Sequence, residues 1–377
     1  MIYRNFQGEK LSALGMGAMR LPVKGGVYAD VDEAAVGEMV DLAMARGVNY
    51  YDTAYGYHDG RSEGVMGRAL ARYPREQWNL ADKFPGYDLA NLGKVESIFE
   101  EQLRRCGVDR FDFYLFHNVC EMNVDGYLDP RYGILDYLLR QKEAGRIRHL
   151  GFSCHGAPAV LRRFLDACGP QMEFCQLQLN YLDWTFQSGR EKAALLQERN
   201  IPIWVMEPLR GGRLASLPEA DAAVLRSLRP QEGIPAWAFR FLQGIPGVTM
   251  ILSGMSDRAQ LEDNLRTFET DAPLRGQEAA ALAAIARSMT EKGLVPCTGC
   301  RYCTSHCPQG LDIPSLLALY NEHVFTGGGF LAPMALSALP ADKRPDACLG
   351  CRSCEAVCPQ QIKISEALAD FVRRLRP

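Results

Sequence analysis

Short apolar runs alternate with helically periodic stretches along most of this chain. The runs predict strands over residues 14–19, 48–52, 79–83, 111–117, 149–153, 174–179, 203–207 and 249–253. Between them the pattern predicts helices over 32–46, 62–72, 94–105, 133–144, 157–167 and 189–200. The first opens on acidic Asp30, Asp32 and Glu33 and stops at Gly47, as helix ends prefer. Eight such repeats argue for an α/β chain folded as a TIM-type (β/α)8 barrel rather than an open doubly wound sheet. No G-x-G-x-x-G follows the first strand, which weakens the open-sheet alternative. The barrel is expected over residues 1–290, ending in a strong helix at 276–292 and a boundary near Gly293.

Residues 291–377 follow another pattern. Cys297, Cys300, Cys303 and Cys307-Pro308 read C-x2-C-x2-C-x3-C-P, and Cys348, Cys351, Cys354 and Cys358-Pro359 repeat it. This spacing suits two 4Fe-4S clusters, the fourth cysteine of each run ligating the other run's cluster. Paired zinc sites are the weaker reading, because zinc needs four ligands per site and rarely uses such a triplet. Some forty residues separate the runs, with a helical insert over 313–323, the Gly327-Gly328-Gly329 turn, and Pro333, Pro340 and Pro345. That gap is long for a compact ferredoxin and favours a small, mainly α-helical ferredoxin-like domain. Its closing helix, 365–374, has Arg373, Arg374 and Arg376 at the end that suits cations.

Bulk properties add a few exclusions. The 377 residues are 47% hydrophobic with a net charge of −3, which describes a folded, soluble chain and points to neither nucleic acid nor an anionic membrane. The first residues lack the apolar core of a signal peptide, and no run approaches a membrane span. A cytoplasmic, reducing and oxygen-poor location is therefore expected. Of the thirteen cysteines, eight belong to the two runs. The other five, Cys106, Cys120, Cys154, Cys168 and Cys175, are expected to be reduced and buried.

Polar residues close the apolar runs: Asp52, Lys83, His117, Ser153, Gln176, Glu207 and Ser253. In a barrel these ends converge on one face, where such folds place their chemistry. Charged groups there are costly to bury unless they pair, and Asp52 with Lys83 is such a pair. Tyr57 lies in the loop after Asp52, where a nearby ammonium would lower its pKa by favouring the phenolate. Each residue alone has a plainer reading, Tyr57 as a loop aromatic, His117 as a core histidine and Asp52 as a turn residue. Their convergence at successive strand ends favours catalysis.

Several segments together resemble the aldo-keto reductases over roughly residues 1–290. They are Gly15-Met16-Gly17-Ala18-Met19, Asp52-Thr53-Ala54-Tyr55-Gly56-Tyr57, Glu63, Ala81-Asp82-Lys83-Phe84, residues 112–117, Gly151-Phe152-Ser153 and Glu207-Pro208-Leu209. The tail resembles the subgroup that carries a ferredoxin-like domain. The resemblance implies hydride transfer from a nicotinamide to a carbonyl, with the catalytic tetrad on Asp52, Tyr57, Lys83 and His117. Tyr57 would protonate the oxygen, Lys83 held by Asp52 would tune it, and His117 would orient the carbonyl. Ser153 and Gln176 match contacts to the carboxamide. The usual asparagine after the serine is Cys154 here, followed by His155.

Met206, Pro208 and Leu209 match the surface beneath the nicotinamide, with methionine where an aromatic ring is common. Gly211 and Arg213, in Arg210-Gly211-Gly212-Arg213, suit the pyrophosphate, since the glycines let backbone N–H groups approach and both arginines add charge. Arg258 and Asn264 match the adenosine end. The basic Arg258 favours NADPH and adjacent Asp257 tells against it, so NADH stays open. A small carbonyl compound is the implied substrate, and a ferredoxin-type protein is a second candidate partner. Three readings compete: a reductase with structural clusters, an enzyme exchanging single electrons through them, and a nicotinamide-binding sensor. An intact tetrad tells against the sensor. A nicotinamide delivers two electrons together whereas each cluster takes one, and no flavin motif is evident to bridge them.

Overall fold

The computed structural model describes residues 1–120, 123–156, 158–291, 294–325, 328, 332, 333, 336 and 339–375. Ala157, Lys292, Gly293, Gly327, Gly329 and Arg376, which fall in the segments read above, lie outside the described residues. Contacts group the chain into two compact units, Met1–Ala279 and Ala280–Pro377.

The first unit opens with a hairpin absent from the sequence-based expectation, β1 (Tyr3–Phe6) and β2 (Glu9–Ser12). Gln7 at φ 50° and Gly8 at φ 89° make its two-residue turn, the left-handed pair such a hairpin needs. Then come β3 (Leu14–Gly17), β4 (Tyr50–Asp52), β5 (Asn79–Phe84), β6 (Phe111–Val119), β7 (Ile147–Cys154), β8 (Cys175–Gln178), β9 (Ile203–Met206) and β10 (Val248–Gly254). These eight form one closed parallel barrel, β10 pairing with both β9 and β3. All eight predicted strands are present, several trimmed at the ends. β9 stops before Glu207, whose φ of 57° leaves the extended region.

Every residue of β6 is buried, as expected of a strand covered on both faces. The barrel interior is aromatic. Tyr50 and Phe113 meet at 4.9 Å between ring centroids, and Phe174 and Trp204 at 4.8 Å. Phe6 from the hairpin packs on Trp204 at 4.8 Å and also touches Phe113 and Phe174. The hairpin thus fills one end of the barrel. Such packing supplies hydrophobic stabilisation and fixes the strand ends that carry polar groups.

Helices lie between the strands. The helix Glu33–Ala45 is capped by Asp32, whose carboxylate accepts from the Ala35 N–H at 3.2 Å. The helices Ser62–Leu70 and Val95–Cys106 approach closely at Gly67, where a Cβ would overlap the Cys106 carbonyl. The second unit is mainly helical. Helices Ile313–Phe325 and Ile364–Arg374 pack through Leu316, Leu317, Leu368 and Phe371. Tyr320 joins them by its ring, 5.6 Å from that of Phe371, and by its hydroxyl, 2.7 Å from Asp370 Oδ2. No helix among the described residues is long and apolar enough to cross a membrane.

Candidate active site and cysteine sites

Asp52 and Lys83 lie at the C-terminal ends of the adjacent strands β4 and β5, and both are buried. Lys83 Nζ donates to Asp52 Oδ1 at 2.6 Å and to the Thr53 carbonyl at 2.6 Å. Two of the ammonium's three N–H bonds are thereby used, and the buried charge has its counter-ion. Burial raises the Asp52 pKa, with the Lys83 charge and hydrogen bond opposing it. The second carboxylate oxygen, Asp52 Oδ2, accepts from Gln176 Nε2 at 3.2 Å.

Tyr57 stands over this pair, with Lys83 Nζ 5.1 Å from its ring centroid. Its ring meets that of His117 edge-on at 6.0 Å, and Tyr87 meets His117 at 5.0 Å. The tetrad residues are therefore brought together. The expected lowering of the Tyr57 pKa is corrected, however. Burial pushes it well above the ordinary value, and the negative charge of Asp52 adds to the effect. The ammonium is committed to a carboxylate that itself disfavours a phenolate. Tyr57 is consequently a protonated phenol, able to donate. Burial and the Lys83 charge depress the His117 pKa far below its usual value, so this imidazole is neutral.

His58 positions the tyrosine loop, and nothing in the sequence reading singled it out. Its Nδ1 lies 2.6 Å from the Tyr28 carbonyl, and its Nε2 accepts from the Leu21 N–H at 3.2 Å. That geometry sets a neutral tautomer with the proton on Nδ1. The following residues turn sharply, with positive φ at His58, Asp59 and Gly60. The tethered histidine thus anchors the loop one residue beyond Tyr57.

Around this centre, Ser153 Oγ accepts from the Asn118 N–H at 2.7 Å. Asn264 Nδ2 donates to Ser253 Oγ at 3.0 Å, which ties the last barrel strand to the helix Arg258–Thr267. Met206 and Leu209 are half-buried and Pro208 is buried. Gly211 and Gly212 have φ of 69° and 95°, a conformation that favours glycine. The arginines of this loop divide. Arg213 is half-buried, but Arg210 is buried with its Nε 3.1 Å from both oxygens of Asp183. The expectation that both would add charge at the loop is therefore corrected for Arg210. Arg258 is exposed and ion-paired to Glu262 at 2.8 Å, while Asp257 caps its helix through the Gln260 N–H.

Asp183 belongs to a buried network that sequence reasoning missed. His155 Nδ1 lies 2.9 Å from Gln178 Oε1, and Gln178 Nε2 and Asn180 Nδ2 donate to Asp183 Oδ2 at 2.9 and 2.8 Å. Burial lowers the His155 pKa to about 4, so it is neutral too. One signal was available. Gln176, Gln178 and Asn180 alternate with Leu177 and Leu179, a period of two that sets the three polar residues on one side of the strand and its extension.

The cysteines of the second unit ring two cavities. One is lined by Cys297, Cys300, Cys303 and Cys358. The other is lined by Cys307, Cys348, Cys351 and Cys354. Three cysteines of each run thus lie beside the fourth of the other. Among the described residues no three His, Cys, Asp or Glu side chains are grouped closely enough to hold a single metal ion. Backbone N–H groups also point at sulfur, Gly299 to Cys297 Sγ at 3.4 Å and Leu311 to Cys307 Sγ at 3.5 Å. Donors aimed at sulfur suit thiolates that hold an iron-sulfur cluster. For a nicotinamide, the corresponding fit is Gln176 Oε1, a buried acceptor without a hydrogen-bond partner among the described residues.

Comparison with known proteins supports this division. Residues 13–287 match the aldo/keto reductase family, and residues 296–364 match a 4Fe-4S dicluster domain. A probable aldo-keto reductase of Glycine max is 30% identical over 215 residues, covering 55% of this chain and 58% of that protein. An NADH-specific methylglyoxal reductase of Escherichia coli is 28% identical over 221 residues, covering 54% of this chain and 65% of that protein. The chain therefore spans less than two thirds of the length of these two curated relatives. In three dimensions it is similar to the holo form of an aldo-keto reductase from Bacillus halodurans, with TM-score 0.61 and 24% identity, covering 76% of this chain and 96% of that one. With its eight-stranded barrel and the family match over most of its length, the chain belongs to the aldo/keto reductase family and carries a C-terminal 4Fe-4S dicluster domain.

Proposed function

We propose that this protein reduces the carbonyl group of a small aldehyde or ketone to an alcohol, using NADPH or NADH. The observation that carries this reading is the buried Lys83–Asp52 pair beneath a protonated Tyr57, with neutral His117 beside it. A bound reduced nicotinamide supplies the hydride. Tyr57 donates its proton to the carbonyl oxygen as negative charge develops there. Lys83 stabilises the phenolate left behind until solvent restores the proton, and Asp52 holds the ammonium in place. His117 hydrogen-bonds the carbonyl oxygen and orients it. Tyr57→Phe should lower carbonyl reduction by about 10²–10⁴-fold, while fluorescence titration still shows dinucleotide binding. Unchanged turnover would remove Tyr57 from the donor role. The methylglyoxal reductase among the relatives supports a small, reactive carbonyl as the substrate class.

We further infer that residues 1–290 form the reductase and residues 291–377 hold two 4Fe-4S clusters. One would be bound by Cys297, Cys300, Cys303 and Cys358, the other by Cys348, Cys351, Cys354 and Cys307. Such clusters supply one-electron transfer, or simply cross-link the chain. A structural role is favoured by the mismatch between a two-electron hydride and one-electron clusters. The electron-exchange alternative, with a ferredoxin-type partner, draws support from exposure. Cys351 is exposed and neighbouring Leu349 is 64% exposed, so the second site has an edge at the surface of its unit. Anaerobic addition of NADPH, followed by EPR, separates the two. Clusters that stay oxidised while an aldehyde is reduced would count against conduction within the isolated chain.

A further inference from the structure

Strand β6 leaves its neighbours just where it carries His117. Pairing with β5 runs as far as Phe84 and Phe116, and pairing with β7 passes from Phe116 to Val119 through a register shift. Among the described residues, neither His117 nor Asn118 has a register partner in either strand. Asn118 has φ of 61°, so the chain also turns out of the extended region there. Irregularities of this kind re-aim a side chain and occur beside functional sites. A strand end outside the ladder must take its orientation from other groups.

Side chains supply it. The peptide that joins His117 to Asn118 is held at both of its polar atoms. Its C=O accepts from the Tyr127 hydroxyl at 2.7 Å, and its N–H donates to Ser153 Oγ at 2.7 Å. The next C=O, that of Asn118, accepts from Asn123 Nδ2 at 2.8 Å. Asn123 and Tyr127 are four residues apart, the first at the N-cap of the helix Val124–Leu128 and the second within it. They grip two consecutive carbonyls. Asn123 makes no side-chain capping bond to its own helix, and its Oδ1 accepts instead from the Cys120 N–H at 2.9 Å. This short helix therefore spends its polar side chains on the strand end that bears His117.

Tyr127 is firmly seated. Its buried ring meets Phe116 edge-on at 5.2 Å, and a Cβ on Gly86 would lie 2.4 Å from it. Its hydroxyl also reaches the carbonyl of Phe84, the residue after Lys83, at 3.2 Å. Burial pushes the Tyr127 pKa well above its ordinary value, so the hydroxyl keeps its proton and donates. Packing alone would be served by phenylalanine. The hydroxyl is what a purely apolar role leaves unexplained.

We propose that Tyr127 is a positioning residue for His117, its hydroxyl fixing the peptide that aims the imidazole at the carbonyl substrate. The assignment rests on the carbonyl-reductase reading given above. It makes the segment between β6 and the helix Ile134–Glu143 a part of the catalytic geometry as well as a cover for the barrel end.

The test uses Tyr127→Phe in the full chain, which keeps the ring and removes the hydroxyl. With methylglyoxal as the probe, kcat and kcat/KM should each fall about ten-fold, and the KM for the reduced dinucleotide should stay within about two-fold. Gly86→Ala, which drives a methyl group against the Tyr127 ring, should show the same split. The double variant should be no worse than the poorer single one, because both act through one hydroxyl. A second measurement needs no turnover. In 15N-imidazole NMR of the ligand-free chain, the His117 signal, identified by its loss in His117→Gln, should move in Tyr127→Phe while that of His149 stays. Wild-type kcat in a folded Tyr127→Phe would overturn the proposal, and so would an unmoved His117 signal. If the wild type reduces no small aldehyde or ketone, the reductase reading fails, and a His117 signal that still moves upholds the clamp by itself.

Discussion

Lys83 is buried, and its charge is sustained by a carboxylate 2.6 Å away. Breaking such a pair leaves an uncompensated charge, which is far costlier than losing an exposed one. The residues of this pair were legible in the sequence because polar groups ended apolar runs. The direction of the Tyr57 pKa was not legible, because it depends on burial and on which charge Lys83 already serves. Arg258 illustrates the opposite regime. It is solvent-exposed, and its pair with Glu262 at 2.8 Å is of the kind worth about 1 kcal/mol or less. A 2′-phosphate can therefore draw it away at small cost. Arg258→Ala should raise the KM for NADPH about five- to ten-fold and leave that for NADH within about two-fold, by steady-state kinetics. Equal effects on both dinucleotides would show that the phosphate is not read there.

Between elements, the most consequential contact outside the barrel mouth is a pair of buried acids, Glu63 on the helix Ser62–Leu70 and Asp82 on β5. Asp82 accepts from the Lys83 N–H at 2.8 Å and from the Cys106 thiol at 3.7 Å, while Glu63 accepts from Arg105 at 2.9 Å. Burial raises the Asp82 pKa well above the carboxylate range, and the nearby Glu63 charge raises it further. Burial raises that of Glu63 as well, with Arg105 opposing. The pair titrates as a unit, and the folded state favours its protonated form. Stability from this source is fully present below the pKa of an unfolded carboxylate and is lost as pH rises through the elevated folded value. Asp82→Asn, nearly isosteric and neutral, should flatten that decline and raise Tm at neutral and alkaline pH. A Tm profile with the same pH slope as wild type would refute this account. Glu63 and Asp82 were visible as motif residues, but their meeting across a helix and a strand was not.

On the scale of the whole molecule, the two cysteine runs are interleaved. Cys307 belongs by sequence to the first run and by position to the cavity of the second, and Cys358 makes the reverse exchange. Cys307→Ser should therefore disturb the cluster held by Cys348, Cys351 and Cys354, and Cys358→Ser the one held by Cys297, Cys300 and Cys303. Each variant should lose up to about half of the bound iron and one of two EPR signals. Loss of the same signal from Cys307→Ser and Cys300→Ser would contradict the interleaving. The N-terminal hairpin is the main element missed at this scale. Its strands are only four residues long, too short for alternation to stand out, and the role of Phe6 as a barrel plug depends on residues far along the chain.

The alternation of apolar runs and helical stretches, read alone, was enough to specify eight strands, a closed barrel and a separate cysteine-rich tail. It could do so because hydrophobic period and ligand spacing are local properties of a chain. It also put Asp52, Lys83 and His117 at strand ends, which must share one face once the barrel closes, whereas the tetrad with Tyr57 came from the resemblance to the family. Folding alone decided how those groups act on one another. Burial and pairing made Tyr57 a protonated phenol rather than an acidified one, and took Arg210 away from the loop to Asp183. Such outcomes depend on distances between residues remote in sequence and on the exclusion of water, and neither is written in any single segment.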